Sequence, residues 1–221
     1  MTTELDRSSP ARPATAADRA YAYVKERLLD GRYAGGTLLS ENEVARQLGI
    51  SRTPVRHAFS QLESEDLLEL YPRRGALVRP ISATEAQDVL EARLLIETHC
   101  AVSAATSGSA PATALNAALA KQETIVRDGG RDFTLADREF HHAIVAAHGN
   151  AILTRQHDAL RDRQQRITAA SLARDPALVA DFLADHRAIA SAIERGNAEL
   201  VAELITAHIA LAQRLAHRPR S

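Results

Sequence analysis

Four residues in the second half of the chain have the types and spacing of metal ligands. Asp137 and His141 are four residues apart in a segment predicted to be helical, so both side chains project from one face. His186 and His208 lie 11 residues before and after Asn197, where a turn joins the last two predicted helices. In an antiparallel helical hairpin both histidines rise about 16 Å from the turn and come level. Three imidazoles and a carboxylate predict a divalent transition metal site, with Zn²⁺ first and Ni, Fe or Mn as alternatives.

The alternative for each of these histidines is a hydrogen-bonded residue beside the core. Only His57 of the nine histidines lies in the first 80 residues, and this concentration in the second part favours a shared role. The remaining histidines of that part lack matching partners, and we expect them on the surface or in packing: His99, His142, His148, His157 and His217. Cys100 is expected to be a small apolar core residue.

A second group of residues has the chemistry of DNA recognition. Ser51, Arg52, Thr53 and Arg56 occupy the N-terminal and outward positions of a predicted helix over residues 51–65. A guanidinium can bond guanine O6 and N7 together, and hydroxyl groups reach phosphates or bases. From charge alone, the alternative is a solvated face with no ligand.

The elements around these residues follow the order of a winged helix-turn-helix. Residues 18–30 and 41–48 show helical apolar spacing, and Ser40 with Glu43 forms a predicted capping box for the second segment. Leu38–Leu39 is strand-like, and residues 67–71 and 76–79 predict a hairpin whose tip carries Arg73 and Arg74. This order favours DNA binding over a solvated surface.

Composition predicts a mostly α protein with two folded parts. The chain has 221 residues, 45% of them hydrophobic, with 4% aromatics and no tryptophan. We expect a disordered tail at residues 1–17, a DNA-binding domain at 18–80, and a bundle of six or seven helices at 81–221 that binds an effector and dimerises. The single cysteine excludes an internal disulfide, and no apolar run is long enough to span a bilayer, so we expect a cytoplasmic protein with no membrane partner.

The first part resembles the GntR-type winged helix. The resemblance rests on the run from Leu39 to Arg56, LSENEVARQLGISRTPVR, and on LESEDLL and PRRGA further along. It implies a homodimer on double-stranded operator DNA with an inverted repeat. The implied DNA-binding residues are Ser51, Arg52, Thr53, Arg56, Arg74, Gly75 and Asn42. Asn42 stands where an arginine often contacts the operator, and His57 replaces a common glutamate.

The second part resembles the effector domain of the FadR subfamily over roughly residues 84–216. The matching segments are RLLIE at 93–97, DREFHH at 137–142, Gly149-Asn150 and DHRAIA at 185–190. The resemblance implies that Asp137, His141, His186 and His208 ligate a metal. It also implies that Arg93 holds the carboxylate of an organic acid, with Asn150 in the same effector site. For Arg93, an ion pair with Glu97 four residues later is the alternative.

Together these features predict a transcriptional regulator, not an enzyme. In the leading interpretation a small carboxylate bound at the metal changes the relative placement of two DNA-binding domains in a dimer. Two alternatives are a regulator that senses the metal itself and a metal-dependent enzyme domain fused to a DNA-binding module. Against the enzyme, no catalytic base or nucleophile motif accompanies the four ligands.

Overall fold

The computed structural model of the chain describes residues 14–108, 111–130 and 132–216. Most of the expected tail at residues 1–17, as well as His217, lies outside the described residues. The contacts divide the chain into two compact units. The first contains the described residues up to Glu26 and Gly36–Arg79, and the second contains Arg27–Gly35 and the described residues from Pro80 onward.

The described residues up to 80 form three helices and three short strands. The elements are α1 (Ala16–Leu29), β1 (Leu38–Leu39), α2 (Glu41–Leu48), α3 (Arg52–Ser64), β2 (Leu68–Tyr71) and β3 (Gly75–Val78). Gly49 ends α2 in the left-handed conformation that glycine adopts without strain. The turn to α3 is short because Ser51 follows two residues later as its N-cap. Val55, Phe59 and Leu62 are buried on one face of α3, so the opposite face remains exposed.

The three strands form one antiparallel sheet in the order β1-β3-β2. Tyr71 pairs with Gly75 at the hairpin end, and Leu39 of β1 pairs with Ala76. Gly75 has φ +108°, and a Cβ there would lie 2.1 Å from the carbonyl oxygen of Leu39. Only glycine therefore lets the hairpin approach β1 at this point.

Six helices follow in the described part of the second unit. They are α4 (Ala83–Ser107), α5 (Ala112–Arg127), α6 (Phe133–Ala147), α7 (Ala151–Arg174), α8 (Leu178–Glu194) and α9 (Ala198–Ala216). Helix α4 packs against α6, α7, α8 and α9, and α5 packs against α6 and α8. Among the described helices, none combines the length and the apolar character that crossing a bilayer requires.

The bundle core is apolar except for one group of polar residues. Cys100 is buried among alanine, leucine, isoleucine and valine side chains, as expected from the sequence. The buried polar and charged residues of α4 to α9 include Arg93, Glu97, Gln122, Asp137, His141, His157, Gln164, His186 and His208. Because buried polar groups need partners, their arrangement locates the candidate site.

The mostly helical architecture and the three-stranded N-terminal part confirm the expected fold class. One local expectation is wrong. Ser40 is the N-cap of α2, but its side chain makes no capping hydrogen bond. Its backbone is extended as it leaves β1, and its carbonyl oxygen alone serves the helix, accepting from the Val44 N–H at 3.1 Å.

We expect Gly75→Ala to lower the free energy of unfolding of the first unit by more than about 1 kcal/mol, because an incompatible φ is combined with a backbone clash. Urea unfolding of the full chain, followed by tyrosine fluorescence, reports mainly on this unit because three of the four tyrosines, Tyr21, Tyr23 and Tyr71, lie in it and only Tyr33 lies in the second unit.

The matched control is Gly36→Ala. Gly36 also has a positive φ, +88°, but nothing lies within 4 Å of the Cβ position. An equal loss of stability in both variants would show that the close approach to Leu39 has no effect of its own.

Candidate functional site

The predicted DNA-binding residues meet around a groove between α2, α3 and the β2–β3 hairpin. The groove has a volume of about 620 Å³, and Asn42, Arg52, Arg56, Arg74 and Gly75 line it. Ser51 and Thr53 are exposed at the start of α3. The structure therefore brings five of the seven residues to one groove, and it leaves the N-terminal part of α3 exposed as a recognition helix requires.

The groove carries an excess of positive charge. Four arginines line it with one acidic residue, Glu41. Arg56 donates to both carboxylate oxygens of Glu41, with Nε and Nη2 each 3.1 Å away, and Arg52 Nη2 lies 3.6 Å from the same group. The hydrogen bond from Arg56 lowers the pKa of Glu41 further than its partial burial raises it. Glu41 therefore stays ionised and holds the two arginines of α3 in the absence of DNA.

The tip of the hairpin contains a strained arginine. The Arg74 N–H donates to the Tyr71 carbonyl oxygen at 3.0 Å, which closes a four-residue turn with Pro72 at its second position. Arg73, at the third position, has φ +63°, where glycine or asparagine is usual. Such strain persists where neighbouring structure or a function maintains it. Arg73 thus joins Arg74 at the tip, although the sequence resemblance marks only Arg74.

The four predicted metal ligands meet inside the second unit. Asp137 and His141 of α6, His186 of α8 and His208 of α9 are all buried, and each offers a donor atom within 4.8 Å of the others. Asp137 Oδ1 lies 3.7 Å from His141 Nε2 and 3.6 Å from His186 Nε2, too far for hydrogen bonds. Two atoms bound to one Zn²⁺ at about 2.1 Å and a tetrahedral angle are about 3.4 Å apart. The donor set and its spacing fit one divalent ion.

The second nitrogen of each histidine lies beside an acceptor. His208 Nδ1 lies 3.0 Å from Asp185 Oδ2, and His141 Nδ1 lies 2.8 Å from Glu97 Oε2. A carboxylate only accepts, so His208 Nδ1 carries the proton and its Nε2 keeps the lone pair. The contact of His141 Nδ1 with Glu97 is short but does not have the geometry of a hydrogen bond.

His186 is fixed in the same tautomer by an amide. Its Nδ1 lies 2.8 Å from Gln122 Oε1, while Gln122 Nε2 donates to the Ala136 carbonyl oxygen and so fixes which way the amide faces. His186 Nε2 is buried and has no hydrogen-bond partner in the described part of the chain. A buried ring nitrogen that keeps its lone pair and has no protein partner is what is expected of a metal ligand.

The protonation states of three of the four residues, Asp137, His186 and His208, suit metal binding. Burial lowers the pKa of His186 well below its ordinary value, and it also lowers the pKa of His208 despite the opposing contact with Asp185. Burial alone would raise the pKa of Asp137, but His141 and His186 outweigh it and hold that pKa below its usual range. A carboxylate and neutral imidazoles are the forms that bind a cation. His141 differs, because burial alone would lower its pKa but the charge of Glu97 and the contact with Asp137 raise it, so a bound metal would displace a proton from this ring.

Arg93 pairs with Glu97 inside the bundle. Arg93 Nε donates to Glu97 Oε1 at 2.7 Å, and both side chains are almost fully buried. Glu97 also contacts His141 and, at 3.1 Å, His157 Nε2. Burial disfavours the charge on Glu97, yet Arg93 and His141 keep its pKa well below the ordinary value. The alternative role of Arg93 is therefore present, and the ion pair fixes the position of its guanidinium.

Asn150 occupies a different place from the one that the resemblance implies. It is exposed at the N-cap of α7, where its Oδ1 accepts from the Ile152 and Leu153 N–H groups. These bonds use the side-chain oxygen for helix capping. We therefore leave Asn150 out of the effector site proposed below.

Comparisons with known proteins bear on both parts of the chain. A model of bacterial regulatory proteins of the gntR family matches residues 16–78, and a model of the FCD domain matches residues 88–211. A protein named "Probable D-xylose utilization operon transcriptional repressor" in Paenarthrobacter nicotinovorans is 30% identical over 197 residues, covering 89% of this chain and 86% of the relative. This chain belongs to the GntR family.

Solved structures have the same fold as this GntR regulator. A crystal structure from Rhodococcus sp. RHA1, presented under the GntR name, gives a TM-score of 0.74 at 22% identity and covers 92% of this chain and 99% of that one. The structure of E. coli McbR/YncC gives a TM-score of 0.68 at 22% identity, and the match covers 90% of this chain and 98% of that one. These structures show the fold, and the two family models with the related repressor show that the protein is a DNA-binding transcriptional regulator with a C-terminal FCD domain. The expectation that it is not an enzyme is confirmed, because its families and relatives are regulators.

Three residues of the GntR regulator's sites were missed at the sequence level. Glu41 holds the recognition arginines, Gln122 fixes a histidine tautomer, and His157, expected at the surface or in packing, is buried against Glu97. The apolar spacing of α5 gives a signal only for Gln122, which falls on the buried face with Leu115 and Ala118. The partners of all three lie 15 or more residues away.

We expect Arg52→Ala and Arg56→Ala each to weaken operator binding by about 1 to 3 kcal/mol, the value of a bidentate base contact. Arg74→Ala should weaken operator binding less. If Arg74 contacts phosphate, its loss should also reduce the slope of the logarithm of the binding constant against the logarithm of salt concentration by about one. Glu41→Gln should strengthen binding to duplexes of random sequence, because it removes the negative charge that competes with phosphate. Fluorescence anisotropy measures the three arginine variants on a duplex selected by the native protein, and Glu41→Gln on duplexes of random sequence.

Arg46→Ala is the matched control, because Arg46 is exposed on α2 but does not line the groove. A loss as large as that of Arg56→Ala would mean that net charge, and not the groove, determines affinity.

We expect Asp185→Ala to weaken Zn²⁺ affinity about 10- to 100-fold, since the carboxylate orients His208. His186→Ala and His208→Ala should each leave less than one metal per chain after dialysis against a weak chelator. Competition titration with a chromophoric chelator gives the affinities.

Asp181→Ala serves as the control, one turn earlier on the exposed face of α8. Native metal affinity in both histidine variants would exclude this cluster as the metal centre.

Proposed function

We propose that the protein is a ligand-responsive regulator of the FadR subfamily whose FCD domain binds a divalent transition metal and a small organic acid. The observation that carries the proposal is the buried set Asp137, His141, His186 and His208, in which each imidazole has an acceptor beside Nδ1. Mixed imidazole and carboxylate donors favour Zn²⁺, with Ni, Fe and Mn as alternatives. When bound, the metal would supply a positive charge. Four protein ligands fill a tetrahedral site, so an anion would bind by expanding the coordination to five or six.

Arg93 is the proposed partner for the carboxylate of the acid. A guanidinium has five N–H donors, and its two contacts with Glu97, at 2.7 and 3.4 Å, leave three for a ligand. Glu97 links this guanidinium to the cluster, since this carboxylate contacts Arg93 Nε at 2.7 Å and His141 Nδ1 at 2.8 Å. A fork of parallel donors matches a carboxylate better than an ammonium does.

Regulation requires that the acid distinguish two states of the protein. We propose a homodimer in the cytoplasm that binds double-stranded operator DNA with an inverted repeat, since one recognition helix per chain reads one half-site. The acid shifts operator affinity only as far as its own affinity differs between the DNA-bound and released arrangements. Removing the acid therefore changes DNA binding without unfolding the first unit.

We expect the Zn²⁺-loaded full chain to be stabilised in a thermal-shift screen by small carboxylic acids, because a ligand of the native state raises stability by RT ln(1 + [L]/Kd). The screen contains acetate, propionate, lactate, succinate, malate, citrate and gluconate. Calorimetric titration of the best acid should show an affinity at least about tenfold above that of its methyl ester, or about 1.4 kcal/mol. Arg93→Lys should weaken the binding of the acid while leaving the metal content near native. Lysine keeps a cation beside Glu97 but lacks the paired donors of the guanidinium.

The same material separates the regulator from a metal sensor. Anisotropy with the selected duplex is measured for stripped protein, Zn²⁺-loaded protein and Zn²⁺-loaded protein with acid. A change on adding the acid supports the proposal. A full change on Zn²⁺ alone favours the metal sensor, and equal acid affinity in native, Arg93→Lys and stripped protein contradicts the shared metal and arginine site.

A further inference from the structure

Gln164 of α7 is a buried side chain whose amide has no internal partner. Its relative exposure is 0%, and neither Nε2 nor Oε1 has a hydrogen-bond partner in the described part of the protein. Its neighbour Gln165 is also buried, but there Oε1 accepts from Arg138 and Nε2 donates to Thr134. An amide buried without partners costs about 1 to 3 kcal/mol in proteins. The burial of the unpaired Gln164 amide therefore requires an explanation, whereas the protein itself satisfies the amide of Gln165.

Two contacts of α7 place Gln164 on the face that borders the four-ligand cluster. His157, seven residues earlier, contacts Glu97, and Thr168, four residues later, lies with Oγ1 3.4 Å from Asp137 Oδ2. Positions separated by four or seven residues share one face of a helix. Gln164 thus lies between these contacts, about 10 Å along the axis from one and about 6 Å from the other.

A second orphaned atom lies on the same face. His157 Nδ1 is buried and has no hydrogen-bond partner in the part of the chain described, although Nε2 contacts Glu97. Two buried side chains on one stripe of α7 therefore offer polar atoms that no described protein group meets. The stripe runs alongside Glu97 and Asp137, where the proposed acid binds.

We propose that Gln164 recognises a hydroxyl group of the effector, which is therefore a hydroxy acid. This inference rests on the proposed function, since it deepens the same site. The amide presents an acceptor, Oε1, and a donor, Nε2, side by side. A hydroxyl next to another oxygen supplies both complements, donating to Oε1 while the second oxygen accepts from Nε2. A methylene in its place leaves both amide atoms unpaired, so the unsubstituted acid is rejected.

Matched acids that differ only in hydroxyl groups test the assignment. The pairs are lactate with propionate, malate with succinate, and gluconate with hexanoate, titrated by calorimetry into Zn²⁺-loaded full chain. For at least one pair the native protein should bind the hydroxy acid at least about tenfold more tightly than its partner. In Gln164→Leu the preference should fall below about threefold, whereas Gln165→Leu should keep the native preference because its amide already has partners in the protein.

Stability without ligand gives an independent test. Gln164→Leu should keep or raise the melting temperature of the second unit, because an unpaired amide is replaced by an apolar group of similar size. Gln165→Leu should lower it, since Arg138 and Thr134 lose a partner. Circular dichroism at 222 nm measures both variants.

The outcomes separate this inference from the proposed function. Equal affinity for both members of every pair, with metal and acid binding intact, overturns the hydroxyl assignment alone and leaves the amide to ordered water. A melting temperature of Gln164→Leu that falls as far as that of Gln165→Leu also overturns it. No stabilisation by any acid of the two panels overturns the acid effector and the hydroxyl together.

Discussion

The helical bundle depends on how it stabilises one buried carboxylate. Glu97 lies on the central helix α4 and is fully buried, and a carboxylate taken out of water costs several kcal/mol unless partners compensate. Arg93 neutralises it from its own helix, while His141 of α6 and His157 of α7 approach from two others. The three helices are therefore joined by a charge that none of them could bury alone. The same contacts fix the ring of His141 and the guanidinium of Arg93.

The four-donor cluster is built outward from these contacts. Each imidazole is oriented by a residue from a different place: Glu97 on α4, Gln122 on α5 and Asp185 on α8. Gln122 and Asp185 keep Nδ1 of their histidines protonated and leave Nε2 for a cation, and Glu97 lies against the ring of His141, so the site is preorganised by its surroundings. The cost is a set of buried polar atoms without protein partners, which a metal and a ligand can satisfy. In the same way, the unpaired amide of Gln164 would be satisfied by the effector that binds beside the metal.

The DNA-binding unit uses one carboxylate for the opposite purpose. Glu41 is partly exposed and holds Arg52 and Arg56 while no DNA is present. Because an exposed ion pair is worth little, the arginines can exchange Glu41 for phosphates or bases at small cost. The buried pair of Arg93 and Glu97 fixes the position of the Arg93 guanidinium, whereas the exposed contacts of Glu41 only favour one arrangement of the Arg52 and Arg56 side chains. The difference follows from burial and not from residue type.

The sequence alone determined the features that depend on local spacing. The first three helices, to within two residues at each end, the hairpin and the exposed face of α3 follow from apolar periodicity, caps and glycine positions. The four candidate donors follow from intervals of four and eleven residues. The tertiary structure decided which faces of distant helices meet. The contacts of Glu41 with Arg56, Gln122 with His186 and His157 with Glu97 join residues 15, 64 and 60 positions apart, beyond any local pattern. The tertiary structure also placed Asn150 at a helix cap and left the Gln164 amide without a partner among the described residues, because the packing around a side chain decides which groups it can reach.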